Sequence, residues 1–210
     1  MKQKIIRPAF TPALLATLAL VVSSCASVLA PDVETDASAL RDGEYALDPA
    51  HATLLFKIGH LELSTYVGRF NDFSASLDFD AAKPENARLQ ASVDVRSLDV
   101  NDASFAEKLI GPAWFDTQSH PEARFVSTGI TLTGETTGVA RGDLTLKGII
   151  RPATMDVTFI GGARNNITQR YTVGFEGKMV INRMDFGIDR YQGLLSDEVT
   201  LEFYGEFIRQ

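Results

Sequence analysis

The stretch RYTVGFEGKMVINRMDFG, Arg170 to Gly187, decides the fold. Tyr171, Val173, Phe175, Gly177, Met179 and Ile181 share one parity. Thr172, Glu176, Lys178 and Asn182 share the other, interrupted by Gly174 and Val180. A repeat of two marks a strand with one dry face and one wet face. Tyr171 to Ile181 is 11 residues, roughly 35 Å at about 3.3 Å per residue, which is long for a strand. Continued in register, Arg183 keeps the dry parity. A cation closing a long apolar stripe is either a staple for the chain or a head-group site for a long apolar ligand. The residues alone leave both open, with Asp185 or Asp189 as the partners a staple would use.

The same alternation recurs on either side. Val199, Leu201, Phe203, Gly205 and Phe207 oppose Thr200, Glu202, Tyr204 and Glu206 in a final strand, Val199 to Ile208. Upstream, the periodicity predicts a short strand at Glu44–Leu47 and a second at Ala52–Leu63. In that second strand Leu54, Phe56, Ile58 and His60 form one row. Tyr66–Phe70 and Phe73–Phe79 read as one bent strand broken at Asn71-Asp72, and Leu89, Ala91, Val93 and Val95 form the next dry row. Ala123–Leu132, Val139–Lys147 and Ile149–Ile160 follow, separated by glycine turns; Pro152 argues for an edge or a bulge. One helical signal stands among them. Asp102 or Ser104 caps it, with Glu107 completing a capping box for Ser104. Phe105 and Leu109 share a face, and Gly111-Pro112 stops it. This segment is a lid, a plug or a plain crossover.

Eight to ten sequential antiparallel strands with one apolar parity, plus one short helical insert, give an all-β fold, a barrel or a sandwich. A barrel of about eight strands holds only side chains or one small ligand. Here the inward rows mix Phe with small residues at Ala75, Ala91, Gly177 and Gly205. Such residues either leave a tunnel or fit the taper of a filled interior.

The amino terminus belongs to export. Lys2, Lys4 and Arg7 precede a short apolar run from about Phe10 to Val22, too short and too poorly flanked to be a good membrane span. It ends Val22-Ser23-Ser24-Cys25, the shape of a bacterial lipobox. Residues 1–24 then form a lipoprotein-type signal, and Cys25, the only cysteine, is lipidated; ordinary cleavage near Ala26–Ala30 is the alternative. Removing the signal takes Lys+Arg from 20 to 17 against 27 Asp+Glu, a net charge of −10. That balance does not suit nucleic acid. Ala26 after the cysteine favours the outer membrane over the inner. Residues 25–42 lack a period and read as a flexible anchored tether, and residues 43–210 as one domain.

Catalytic signatures are missing. There is no nucleophile elbow, no G-x-G-x-x-G and no P-loop. His51, His60 and His120 are widely spaced and lack a metal-binding pattern. No enzyme activity, metal or cofactor is expected.

The order of short motifs resembles the bacterial YceI-like family of polyisoprenoid-binding, lipocalin-like periplasmic proteins. Those motifs are Tyr45-Ala-Leu-Asp48-Pro-Ala-His51, Phe56-Lys-Ile-Gly-His60 and Val67-Gly68-Arg-Phe70 with Phe73. They continue with Trp114-Phe115-Asp116, His120-Pro121, Phe125-Val-Ser127-Thr128, Gly142-Asp-Leu144-Thr-Leu146-Lys-Gly148 and Asn182-Arg183-Met-Asp185-Phe186-Gly187. The resemblance covers about Gly43 to Gln210. It implies a lipocalin-like antiparallel β-barrel that binds a long-chain lipid, polyisoprenoid or quinone-like. The ligand-binding residues expected are Phe56, Ile58, His60, Phe70, Phe175, Met179, Arg183 and Phe203. The implied place is the periplasmic face of the envelope, with the membrane reached through Cys25. A homodimer is left open. The rival reading is a structural or stress-response envelope protein whose barrel is filled and which acts through protein contacts.

Overall fold

The computed structural model describes residues 30–210; the signal and Cys25 lie outside them. Ten strands form one antiparallel sheet: β1 (Gly43–His60), β2 (Ser64–Phe70), β3 (Phe73–Phe79), β4 (Arg88–Asp94), β5 (Leu98–Asp99), β6 (Glu122–Leu132), β7 (Thr137–Leu146), β8 (Ile149–Arg164), β9 (Tyr171–Asn182) and β10 (Leu195–Arg209). β1 pairs with β10, which closes the sheet into an eight-stave barrel. The staves run β1, β3, β4, β6, β7, β8, β9, β10. β2 takes over from β3 alongside the upper half of β1, and β5 extends β4 alongside β2. The bend at Asn71-Asp72 falls where the sequence places it. It is stitched by Asn71 N–H to Ser97 O (3.1 Å) and Asp94 N–H to Asp72 O (3.0 Å).

β9 is the long strand of the opening stretch, and its parity holds. Val173, Gly177 and Met179 are buried, while Glu176, Lys178 and Val180 face out. The two amino-terminal strands expected at 44–47 and 52–63 are instead one, β1. Its pairing jumps from Leu47↔Phe207 to Ala52↔Gly205, so a bulge absorbs the extra residues. Asp48 holds the bulge by accepting from Ala50 N–H (3.0 Å) and pairing with His51 Nδ1 (2.9 Å). β1 also stops at His60, since Leu61 and Glu62 turn with φ of 54° and 55°. Pro152 is tolerated because β8 pairs with β9 only from Met155 onward, so its early part is locally an edge. The two-residue turn Lys147-Gly148, both with positive φ, joins β7 to β8.

Both barrel ends are covered. At the upper end, the excursion from Val95 to Pro121 is inserted between β4 and β6, whose feet pair at Asp94↔Glu122. Val95 N–H donates to Pro121 O (2.9 Å) and pins it shut. It carries α1 (Ala103–Ile110). The cap is Asp102, whose carboxylate accepts from the N–H groups of Ser104 and Phe105 (both 3.0 Å). The Ser104–Glu107 box is not used: the Ser104 hydroxyl donates to Asp102 instead (2.8 Å).

At the lower end, the stretch expected to be a free tether is docked from Glu34 onward. Glu34 and Gly162 exchange two backbone hydrogen bonds of 2.8 Å. A 3-10 turn at Ala37–Ala39 follows, capped by Asp36. Leu40 is then buried against Gly162, where even a Cβ would meet its Cδ2 at 2.6 Å. Arg41 lies 4.7 Å over the Tyr171 ring. Sequence periodicity cannot announce this docking, because one buried leucine in eleven residues has no period.

Candidate binding cavity

The lumen between these covers is hollow. Its volume is about 460 Å³, and its wall is almost wholly carbon. The reason lies in the inward glycines. The Phe56 ring lies where a Cβ on Gly68 would sit, the Phe203 ring where one on Gly205 would sit (2.5 Å), and the Phe125 ring where one on Gly142 would sit (2.6 Å). Each ring folds back against the wall and leaves the axis open. Met155 does the same over Gly177, its Sδ 2.9 Å from the site of a Cβ. Phe56, Phe70, Phe175 and Phe203 are consequently only half-buried although they point inward. The tunnel and the filled interior that the small residues allowed are thereby decided for the middle of the barrel.

Aromatic contacts, two edge-to-face and two tilted, line the lower lumen in a chain. Ring centroids lie 6.3 Å apart for Phe73–Phe203, 5.9 Å for Phe203–Phe207, 6.0 Å for Phe207–Phe175 and 5.5 Å for Phe175–Phe159. Above, the lid closes on the wall: Phe115 meets Phe70 at 6.4 Å and Phe105 meets Tyr66 at 6.1 Å. From Val199 to Phe207 on β10 the lining spans roughly 26 Å of strand at about 3.3 Å per residue.

All eight residues named from the sequence lie on this wall: Phe56, Ile58, His60, Phe70, Phe175, Met179, Arg183 and Phe203. The cavity does not follow the whole opening stripe. Val173 is 2 % exposed and packs with Leu40, Tyr45 and Phe79 at the foot of the cavity, whose floor Leu40 and Phe79 help to form, so the lining on β9 begins at Phe175. Burial pushes the Tyr45 phenol up to about 12. The lid residues Phe105, Leu109, Trp114 and Phe115 also line the cavity. The sequence leaves their segment as a lid, a plug or a plain crossover and gives no strand parity by which to point them inward.

Arg183 is a staple. It opens the 3-10 turn Arg183–Phe186 and is only 2 % exposed. Its Nε–H donates to Ser196 O (2.8 Å), Nη1 to Ile188 O (2.6 Å) and Arg190 O (2.9 Å), and Nη2 to Leu195 O (3.4 Å) and Asp197 Oδ1 (3.3 Å). All five N–H groups of a guanidinium are thus used. The acceptors are the Ile188 and Arg190 carbonyls of the loop, the Leu195 and Ser196 carbonyls at the start of β10, and Asp197, not Asp185 or Asp189, and the head-group role for this cation has no donor left to serve it. His60 ends the β1 row at the upper mouth and is exposed, while the Tyr66 hydroxyl donates to Val100 O (3.0 Å).

The sequence profile described as the YceI-like domain matches residues 45–207. A UPF0312 protein of Azotobacter vinelandii is 36 % identical over 169 residues, covering 80 % of this chain and 88 % of that protein. One of Shewanella oneidensis is 34 % identical over 174 residues, 82 % and 91 % of the two chains. Among solved structures, Burkholderia cenocepacia BcnA superposes with a TM-score of 0.69 at 28 % identity, over 76 % of this chain and 98 % of that one. A polyisoprenoid-binding domain from Saccharophagus degradans superposes with a TM-score of 0.58 over 81 % and 100 %; at 14 % identity it shows the shared fold alone. With the profile spanning nearly the whole barrel, from Tyr45 to Phe207, the chain belongs to the YceI-like family.

Proposed function

We propose that this protein binds a long-chain amphiphilic lipid, polyisoprenoid or quinone-like, inside its barrel and sequesters or carries it in the cell envelope. The single observation that carries the reading is the apolar cavity of about 460 Å³. Leaving such a volume unfilled would cost on the order of 10 kcal/mol at about 24 cal/mol per Å³. That is comparable with the whole stability of a domain. A chain of methylenes, each worth about 0.8 kcal/mol on burial, offsets that cost and the entropy of its own ordering. The Saccharophagus neighbour, which shares the fold, is itself named as polyisoprenoid-binding. The filled-barrel reading loses ground because the Phe56, Phe125 and Phe203 rings lie over Gly68, Gly142 and Gly205 of the wall and a cavity stays open between the staves. The signal and lipobox at Cys25 place the protein, in this reading, as a lipoprotein on the periplasmic side of a bilayer, most simply the outer membrane, where such lipids reside.

The test is organic extraction of the chain purified from bacterial cells, followed by mass spectrometry. A stoichiometric long-chain lipid is the expected result. A lipid-free protein that also fails to take up any prenyl lipid would sink the reading.

A further inference from the structure

Resting on that lipid-binding reading, we propose that the cavity selects long-chain lipids with an uncharged head group and rejects phosphorylated ones. Among the described residues, six titratable side chains line the cavity: His60, Tyr66, Arg124, Glu135, Glu176 and Arg183. Arg124 and Glu176 are exposed and stand on the outward parity, opposite Phe125 and Phe175; Arg124 donates to Gln90 Oε1 at 2.9 Å. Glu135, on the turn between β6 and β7, brings a carboxylate to the lower rim, which repels an anion.

Arg183 is the cation inside the wall, and its five N–H groups are spent on four carbonyls and Asp197. A phosphate in the lumen would lose its hydration and find no cation with a free N–H there among the described residues. An unpaired buried anion of that kind costs several kcal/mol. The polar atoms that remain have different chemistry. The Tyr66 oxygen donates to Val100 O and retains lone pairs that accept. The His60 imidazole at the upper mouth donates or accepts. A hydroxyl or a carbonyl is satisfied by that pair, whereas a phosphate gains at most the His60 N–H and leaves its charge uncompensated.

Trp114, the single tryptophan, is buried in the lid on the cavity wall and reports occupancy by fluorescence. The delipidated full chain would be titrated with geranylgeraniol and with geranylgeranyl phosphate, which share one tail. The alcohol is expected to bind at least about tenfold more tightly, the low end of the desolvation penalty. Equal or tighter binding of the phosphate overturns the proposal and leaves the lipid reading standing. Binding of neither, by fluorescence and by co-extraction, overturns both.

Discussion

Five acceptors converge on the Arg183 guanidinium, and four are backbone carbonyls between Ile188 and Ser196. Arg183→Met should therefore strand buried carbonyls and destabilise the fold by about 3–5 kcal/mol. Arg183→Lys should recover only part, because an ammonium has three donors and no fork. Urea unfolding of the two variants checks this; a loss below about 1 kcal/mol for the methionine would contradict the staple. Tyr45 offers a pH test. Its buried phenol is pushed up to about 12 from the ordinary 10. A group whose folded pKa is raised contributes fully below its unfolded value and loses that contribution as pH rises through the folded one. Stability should fall between about pH 10 and 12, and Tyr45→Phe should flatten that limb. The same variant should cost about 1 kcal/mol at neutral pH, since the hydroxyl donates to Arg41 O. Parity put Arg183 on the dry face, and there it is. Its acceptors were not legible, because they are carbonyls whose position depends on how the following loop folds.

At the scale of elements, what periodicity can carry was legible: β9, the bent β2–β3 stave, the dry row of β10 and the capped helix. What was not legible depends on pairing between distant segments. β1 runs through its bulge because β10 supplies partners on both sides of Asp48–His51. Residues 34–40 dock because Gly162 lacks a side chain where Leu40 sits. That docking is light, one buried leucine and two backbone bonds, so Leu40→Ala should loosen the lower cover while β1–β10 stay paired. Hydrogen exchange should rise at Glu34 and Gly162 and remain slow at Phe203 and Phe175; uniform acceleration would instead mean that Leu40 holds the whole barrel. The lid should respond to acid. Two backbone N–H groups and the Ser104 hydroxyl hold the Asp102 carboxyl below its ordinary 3.8. A depressed carboxyl contributes above its unfolded pKa and loses that contribution as pH falls through the folded one. The α1 amides should lose protection, relative to their intrinsic exchange rates, below about pH 4, and Asp102→Asn should remove that pH dependence while keeping a cap.

Across the whole molecule, ligand and fold share one interior. A barrel filled by its own side chains would be indifferent to delipidation, whereas this one leaves half-exposed Phe56, Phe70, Phe175 and Phe203 around an open lumen. A ligand that binds only the folded state adds about 2.7 kcal/mol at a hundred times its Kd. For a chain of this size that corresponds to roughly 5–10 °C in Tm. Delipidated protein should melt lower by that order and recover when a prenyl alcohol is restored. Gly177→Phe separates cavity from scaffold in the same assay. The new ring displaces the flexible end of Met155 and enters the lumen, at an overpacking cost of about 1–3 kcal/mol. It also fills volume that the lipid would otherwise take. The variant should fold, melt close to the delipidated parent, and show little further rise on adding the alcohol. An undiminished lipid-induced rise in Gly177→Phe would mean that the lipid lies elsewhere than along β9.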